Sequence, residues 1–196
     1  MSESGLTAKF LASQKTPWNE TLSCDWPSFS HSHQTPPDFG NNGAPWTTWL
    51  LIGGRGAGKT RAGAEWARAF ALRNPNARIA LVGETEHEAR EVMVEGVSGL
   101  LAVHAHHERP LWTPSRRRLQ WPNGAVAETF SAEDPESLRG PQFHAAWCDE
   151  LAKWRQADES AAINGWRSPR EPLDAFATFS GFDGTAAGRY RLIICR

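Results

Sequence analysis

The sequence has little cysteine, almost no net charge and no long apolar run. Its three cysteines, Cys24, Cys148 and Cys195, lie far apart without a C-x-x-C pair, which argues against a disulfide framework or a cysteine zinc site and favours a reducing compartment. The formal charge of −1 provides no global positive field for nucleic acid or membranes. Any contact with DNA must therefore be local or shared among several subunits.

Membrane and export signals are also missing from the sequence. No stretch approaches the ~18–20 apolar residues that a membrane span needs, and residues 1–15 lack the apolar centre of a secretory signal. We therefore expect a cytoplasmic protein without membrane contact. The length of 196 residues suits one ordinary domain, and a hydrophobic content of 40% is enough for a core.

The chain divides into three parts by composition. Residues 1–45 are rich in Ser, Pro, Asn, Gly and His and are typical of an irregular segment. Residues 46–155 alternate short apolar runs with segments of strong helix formers, and residues 156–196 show weak periodicity, with a strand-like run only at 190–195. We therefore place the core at 46–155.

Within this core the pattern predicts strands alternating with helices. The predicted strands are 46–52, 77–82, 117–121, 125–130 and 143–148, the predicted helices are 59–73 and 84–101, and residues 102–112 are predicted as loop. In the second helix Ala89, Val92, Met93 and Val97 recur at helical spacing. The order strand, helix, strand, helix predicts an α/β fold with a mostly parallel sheet flanked by helices.

A glycine-rich segment between the first predicted strand and helix fits G-x-x-x-x-G-K-[ST], a phosphate-binding loop (P-loop). Glycines let successive backbone N–H groups face one concavity, and the following helix presents its positive end there. Lys59 is expected to reach the β and γ phosphates of ATP, and the hydroxyl of Thr60 to bind Mg²⁺. The predicted nucleotide-binding residues are Gly53, Gly54, Arg55, Gly56, Ala57, Gly58, Lys59 and Thr60.

Two acids follow the last predicted strand of the core. Asp149 is positioned to hold Mg²⁺ opposite Thr60, and Glu150 to polarise the attacking water as a general base. Taken alone, the two acids are also typical of a buried strand that ends in solvent. Their occurrence with the upstream loop favours the catalytic interpretation.

Arginines could neutralise charge that develops on the γ-phosphate. Arg55 lies inside the loop and is a candidate within the same subunit, and Arg139 precedes the strand that ends at Asp149. From spacing alone, Arg139 is more typical of a surface loop.

Two further clusters carry weaker signals. His104, His106 and His107 are more typical of a solvated loop than of a metal site, because no other ligands are suitably spaced. The run 116–118 consists of three arginines, which could contact DNA phosphates but are more typical of a solvated strand edge.

Several segments together resemble the large terminase subunit of tailed bacteriophages and gene transfer agents, the ATPase motor that packages double-stranded DNA. They are "WTTWLLIGGRGAGKTRAGAEWAR", "RIALVGET" and "WPNGAVAETFSAEDPESLRGPQFHAAWCDELAKW", and the resemblance covers about residues 31 to 155. It implies a P-loop ATPase of the additional-strand, catalytic-glutamate type with ATP and Mg²⁺ as cofactors. It also implies double-stranded DNA, a portal protein and a small terminase subunit as partners, a homo-oligomeric ring, and the cytoplasm of a bacterial host.

The resemblance also assigns roles to single residues. Lys59, Thr60, Asp149 and Glu150 match the family's phosphate, Mg²⁺, Walker B and catalytic glutamate residues, and Arg55 matches the arginine inside its loop. By the same resemblance Arg139 lies where related motors present an arginine to the neighbouring subunit. Gln34 is similar to the family's upstream glutamine that contacts adenine.

The chain also departs from the family pattern. The nuclease domain that follows the ATPase in large terminases does not follow here, and nothing in 156–196 resembles the family's Thr-rich coupling strand. We therefore expect a truncated or frameshifted product. Two alternatives to an active packaging ATPase stay open: a non-catalytic remnant that at most binds nucleotide, and another P-loop DNA-dependent ATPase such as a helicase.

Overall fold

The computed structural model describes residues 25–40, 43, 46, 48–138, 141–154 and 191–195. In this part of the chain seven strands form one sheet. They are β1 (Thr48–Leu51), β2 (Arg78–Gly83), β3 (Leu111–Thr113), β4 (Arg118–Gln120), β5 (Val126–Ser131), β6 (Ala145–Cys148) and β7 (Arg191–Cys195). The helices are α1 (Trp26–Phe29), α2 (Lys59–Arg73), α3 (Glu86–Glu88), which continues as a π-helix over Ala89–Val94, and α4 (Leu100–Val103). Short 3₁₀ turns cover Ser32–Gln34, Pro114–Arg116, Pro135–Leu138 and Leu151–Lys153.

The strand order in the sheet is β1-β7-β6-β2-β5-β4-β3. Five neighbouring strands of the sheet are parallel to one another, namely β1, β7, β6, β2 and β5. Strand β4 is antiparallel to β5, and β3 is antiparallel to β4. The α/β class is therefore confirmed, and the sheet is mixed, with an antiparallel hairpin at one edge. No helix in the described ranges is both long and apolar enough to cross a membrane.

Strand β6 lies inside the sheet and is buried on both faces. All four of its residues are buried. Trp147 packs with Ile79 in the cluster under α2, whereas Cys148 packs with Val82 in the cluster on the opposite face. A strand covered on both faces shows a continuous apolar run rather than an alternating one. This explains why the sequence of β6 has no polar position until Asp149.

Helix α2 has the bounds that its composition predicts. It begins directly after Gly58, and it ends where the backbone N–H of Asn74 bonds to the carbonyl of Phe70, one residue before Pro75. The small residues on its inner face allow a close approach to the sheet. A Cβ atom added at Gly63 would lie 2.3 Å from Cε2 of Trp147, so only glycine fits there.

The prediction of one helix over 84–101 is wrong. The chain is helical over Glu86–Val94 and again over α4, but residues 95–99 form a tight turn between them. A Cβ atom at Gly96 or Gly99 would lie within 3 Å of preceding backbone carbonyls, so the turn requires both glycines. Val97, one of the four residues that recur at helical spacing, is 95% exposed.

Two further predictions over residues 102–112 need correction. Leu111 begins β3, which pairs with β4 although it has only three residues. His104, predicted in a solvated loop, is 7% exposed, while His106 and His107 are exposed as expected. The imidazole of His104 accepts a hydrogen bond from the indole N–H of Trp121 at 2.8 Å. Long-range packing, which a local pattern does not show, buries this histidine.

Candidate functional site

The glycine loop connects β1 to α2 and takes a conformation that glycine favours. Gly56 and Gly58 have φ of 81° and 75°, in the left-handed region that costs other residues energy. The ammonium of Lys59 donates to the carbonyl of Gly53 at 2.9 Å and to that of Gly54 at 3.1 Å. The loop is thus closed by the side chain that follows its last glycine.

Gln34 supports this loop from an upstream segment. Its amide nitrogen donates to the carbonyl of Ala57 at 3.0 Å, and its amide oxygen accepts from the backbone N–H of His31 at 2.9 Å. A Cβ atom at Gly58 would lie 2.3 Å from the amide nitrogen of Gln34. With only 9% of its surface exposed, Gln34 is a structural part of the loop.

Asp149 and Glu150 lie at the carboxyl end of β6, where parallel strands present their ligands. Asp149 is 5% exposed, and its Oδ1 accepts the backbone N–H of Glu150 at 3.2 Å. Burial, and then the charge of Glu150, raises the pKa of Asp149 to about 6, while Lys59 and Lys153 oppose this.

Glu150 has an unusual backbone. Its φ of 50° and ψ of 40° put a non-glycine residue in the left-handed region, where a side chain costs roughly 1–2 kcal/mol. Such conformations concentrate at functional sites because the surrounding structure must hold them. The side chain of Glu150 lies 3.7 Å from the ammonium of Lys153.

A cavity of about 760 Å³ brings most of the predicted loop residues together with Glu150, but Gly54, Gln34 and Asp149 do not line it. Glu150 lies in it with the loop residues Arg55, Lys59 and Thr60, across about ninety positions of sequence. Its lining residues are Gly53, Arg55, Gly56, Ala57, Gly58, Lys59, Thr60, Arg61, Ser98, Glu150 and Lys153. Asp149 lines a second cavity of about 50 Å³, which shares Glu150 and Lys153 with the first.

Three residues of the larger cavity were missed by sequence reasoning. Arg61 follows Thr60 directly, so its position immediately after the motif was a usable signal. Ser98 belongs to the turn that interrupts the predicted helix, and Lys153 lies three residues after Glu150. Neither of these two has a sequence signal that points to the loop.

The remaining candidates are dispersed. Arg139 lies outside the described residues. Two of the three arginines at 116–118 pair with acids, because Arg117 lies 3.5 Å from Glu86 and Arg118 bonds to Glu128 at 2.9 Å. Among the described residues no group of three or more His, Cys, Asp or Glu side chains could hold a metal.

Comparison with known proteins gives a family and a fold. The family described as "Terminase large subunit, T4likevirus-type, N-terminal" matches residues 50–183. The matched range ends within the segment 156–196, and the boundary at residue 155 stays a prediction. Comparison with curated proteins finds no match.

Solved structures of phage large terminases share the fold. The large terminase from a thermophilic bacteriophage is 12% identical with a TM-score of 0.55, covering 93% of this chain and 39% of that chain. The same protein in complex with ATP-γ-S is 11% identical with a TM-score of 0.52, covering 92% of this chain and 38% of that chain. The ATPase domain of the Thermus phage P74-26 large terminase is 14% identical and covers 92% of this chain and 64% of that chain, but its TM-score of 0.47 is too low to support a shared fold. The present chain therefore spans less than two thirds of each of these proteins.

Proposed function

The chain belongs to the family of T4-like large terminase subunits, whose N-terminal part it matches, and we propose that it is the ATP hydrolase module of a motor that packages double-stranded DNA. The observation that carries this proposal is the cavity in which Glu150 lies with Lys59 and Thr60. A general base and a phosphate-binding loop that share one cavity are the minimum for hydrolysis of a nucleoside triphosphate.

ATP is the proposed ligand of the glycine loop. The backbone of the loop offers N–H groups, and the start of α2 adds a positive end that favours phosphate. Lys59 then exchanges its bonds to the carbonyls of Gly53 and Gly54 for the β and γ phosphates. The thermophilic phage terminase in complex with ATP-γ-S supports a nucleotide as the ligand.

Thr60 and Asp149 fit a magnesium ion by their donor chemistry. A hydroxyl and a carboxylate are hard oxygen ligands, and Mg²⁺ takes the rest of its shell from water and phosphate rather than from a protein cage. When bound, the ion neutralises charge on the phosphate oxygens.

Glu150 is the proposed general base, and arginines complete the site. Glu150 polarises the attacking water, while Lys59 holds the γ-phosphate on the loop. Arg55 lines the same cavity and stabilises the transition state within the subunit. By family resemblance Arg139 acts on the site of a neighbouring subunit in a ring.

The position of β7 supports the additional-strand type of P-loop ATPase. It pairs with β1, which precedes the glycine loop, and with β6, which ends directly before Asp149. The family further suggests double-stranded DNA, a portal protein and a small terminase subunit as partners, in the cytoplasm of a bacterial host. Gln34 contacts adenine in this proposal while it holds the loop.

DNA-stimulated hydrolysis tests the proposal. We expect the full chain to hydrolyse ATP with Mg²⁺, and double-stranded DNA to increase the rate. The Lys59→Ala variant is the control, since it removes the ammonium that is proposed to hold the phosphates. Equal rates of ATP turnover in wild type and Lys59→Ala would contradict the proposal. ATP binding without turnover in wild type would favour the alternative of a non-catalytic remnant that at most binds nucleotide.

A further inference from the structure

Arg61 has no role in the chemistry described above, yet it lines the same cavity. It directly follows Thr60 and lies in the first turn of α2. This places it at the helix side of the loop, beyond the lysine and threonine that serve the phosphates in the proposed function.

The guanidinium of Arg61 is held in a fixed plane by a buried acid. Its Nε and Nη2 both donate to Oε1 of Glu65, at 2.9 Å and 2.7 Å. Glu65 is 3% exposed, and its other oxygen accepts from Arg68 at 3.3 Å. The charge of Arg61 is therefore already balanced along its edge, which makes it a weaker ligand for phosphate. A planar guanidinium bound along its edge can still stack through its face.

An aromatic ring lies against this guanidinium. The centre of the Arg61 guanidinium lies 5.7 Å from the ring centroid of Trp26 in α1, a cation–π arrangement. Trp26 is itself packed against the core cluster under α2. Arg61 is thus restrained by two hydrogen bonds to Glu65 and by a cation–π contact with Trp26.

We propose that Arg61, supported by Trp26 and Glu65, is the stacking platform for the base of a purine nucleoside triphosphate bound on the glycine loop. Stacking uses a face of the guanidinium rather than the edge that bonds to Glu65, and any purine presents a π face to it. The inference rests on the proposed nucleotide site. It predicts that Arg61 contributes to the affinity for the base and not to that for the phosphates.

Calorimetric titration of the full chain tests the inference. The ligands are ATP, GTP and inorganic tripolyphosphate, each with Mg²⁺, and the proteins are wild type, Arg61→Ala, Arg61→Lys and Lys59→Ala. We expect both Arg61 variants to bind ATP and GTP about ten-fold more weakly, the loss of one stacking contact. Their affinity for tripolyphosphate should equal that of wild type.

Arg61→Lys separates stacking from charge, because lysine keeps the positive charge beside Glu65 and has no planar face. Wild-type affinity for ATP in Arg61→Lys would overturn the inference. An equal loss for ATP and tripolyphosphate would also overturn it, since it would indicate a damaged loop. Lys59→Ala should weaken the binding of all three ligands. If it weakens none, the proposed nucleotide site itself fails, which is a different result from an unaffected Arg61 variant.

Discussion

The side-chain amide of Gln34 donates a hydrogen bond to the backbone carbonyl of Ala57 at 3.0 Å, across 23 residues of sequence. A segment upstream of the first strand therefore holds the glycine loop from outside. Through the family resemblance this glutamine was assigned to adenine. Its buried position adds a mechanical role, because the same amide also accepts the N–H of His31.

Removal of the Gln34 side chain should loosen the loop. We expect Gln34→Ala to lower the free energy of unfolding by ~1–2 kcal/mol, the value of two hydrogen bonds. Gln34→Glu is the matched variant, since it can still accept from His31 but cannot donate to Ala57. Urea unfolding of both variants measures the effect. Wild-type stability in both would show that the loop does not depend on this contact.

Gly63 should not tolerate alanine, although alanine is normally the better helix former by ~0.5–1 kcal/mol. The added Cβ would lie 2.3 Å from the indole of Trp147, and overpacking of this kind costs roughly 1–3 kcal/mol. The clash should dominate, so Gly63→Ala lowers stability. In a Trp147→Leu background the loss should shrink, which a double-mutant cycle detects. Additive losses would contradict the packing argument.

Gly54→Ala is a control for stability, because a Cβ there meets nothing within 4 Å.

His104 should make stability depend on pH. Burial lowers its pKa from 6.5 to about 4, so the folded state keeps the neutral imidazole that accepts from Trp121. Between about pH 6.5 and about pH 4, His104 binds a proton in the unfolded chain but stays neutral in the folded chain. The stability contributed by His104 is therefore present above about pH 6.5 and is lost, by ~3 kcal/mol, as the pH falls through about 4.

The test for His104 compares variants, because Asp149 acts in the opposite direction. The raised pKa of Asp149 means that its folded state loses stability as the pH rises from about 4 to about 6. The difference in unfolding free energy between wild type and His104→Gln removes this contribution. That difference should decrease by ~3 kcal/mol as the pH falls from about 6.5 to about 4. The unfolding free energy of His106→Gln, a variant at an exposed position, should follow that of wild type. A constant difference would contradict the account.

The left-handed backbone of Glu150 should reduce stability in favour of function. Relief of the strain by glycine gains roughly 1–2 kcal/mol, and the greater freedom of unfolded glycine costs roughly 0.5–1 kcal/mol. We therefore expect Glu150→Gly to be up to ~1.5 kcal/mol more stable than Glu150→Gln, which removes the charge beside Asp149 but keeps the side chain. Thermal unfolding of the pair checks this. Lower stability of Glu150→Gly than of Glu150→Gln would show that the conformation is not strained.

Local chemistry predicted much of the fold and most of the cavity. Helix α2 follows from its alanines and from the Asn74-Pro75 stop, and β6 from its apolar run before Asp149. Both depend on neighbours in sequence. The pairing of Leu111 in β3, the burial of His104 and the insertion of β7 between β1 and β6 depend on distant residues, and no local period encodes them.

The candidate site shows the same division. The loop motif and the acids after β6 could be found from residue type and spacing. Ser98 reaches the cavity because Gly96 and Gly99 break a helix that apolar spacing predicts to be continuous. The stacking of Arg61 on Trp26 joins α2 to a segment that composition describes only as irregular.

The role of Glu150 is the most direct test of the account. Single-turnover hydrolysis of Mg²⁺-ATP should be measured for wild type and Glu150→Gln, with ATP affinity determined for both. Loss of a general base lowers the rate by roughly 10²–10⁴-fold. The account predicts a loss of that size in Glu150→Gln with ATP binding retained. Hydrolysis at the wild-type rate in Glu150→Gln would contradict it.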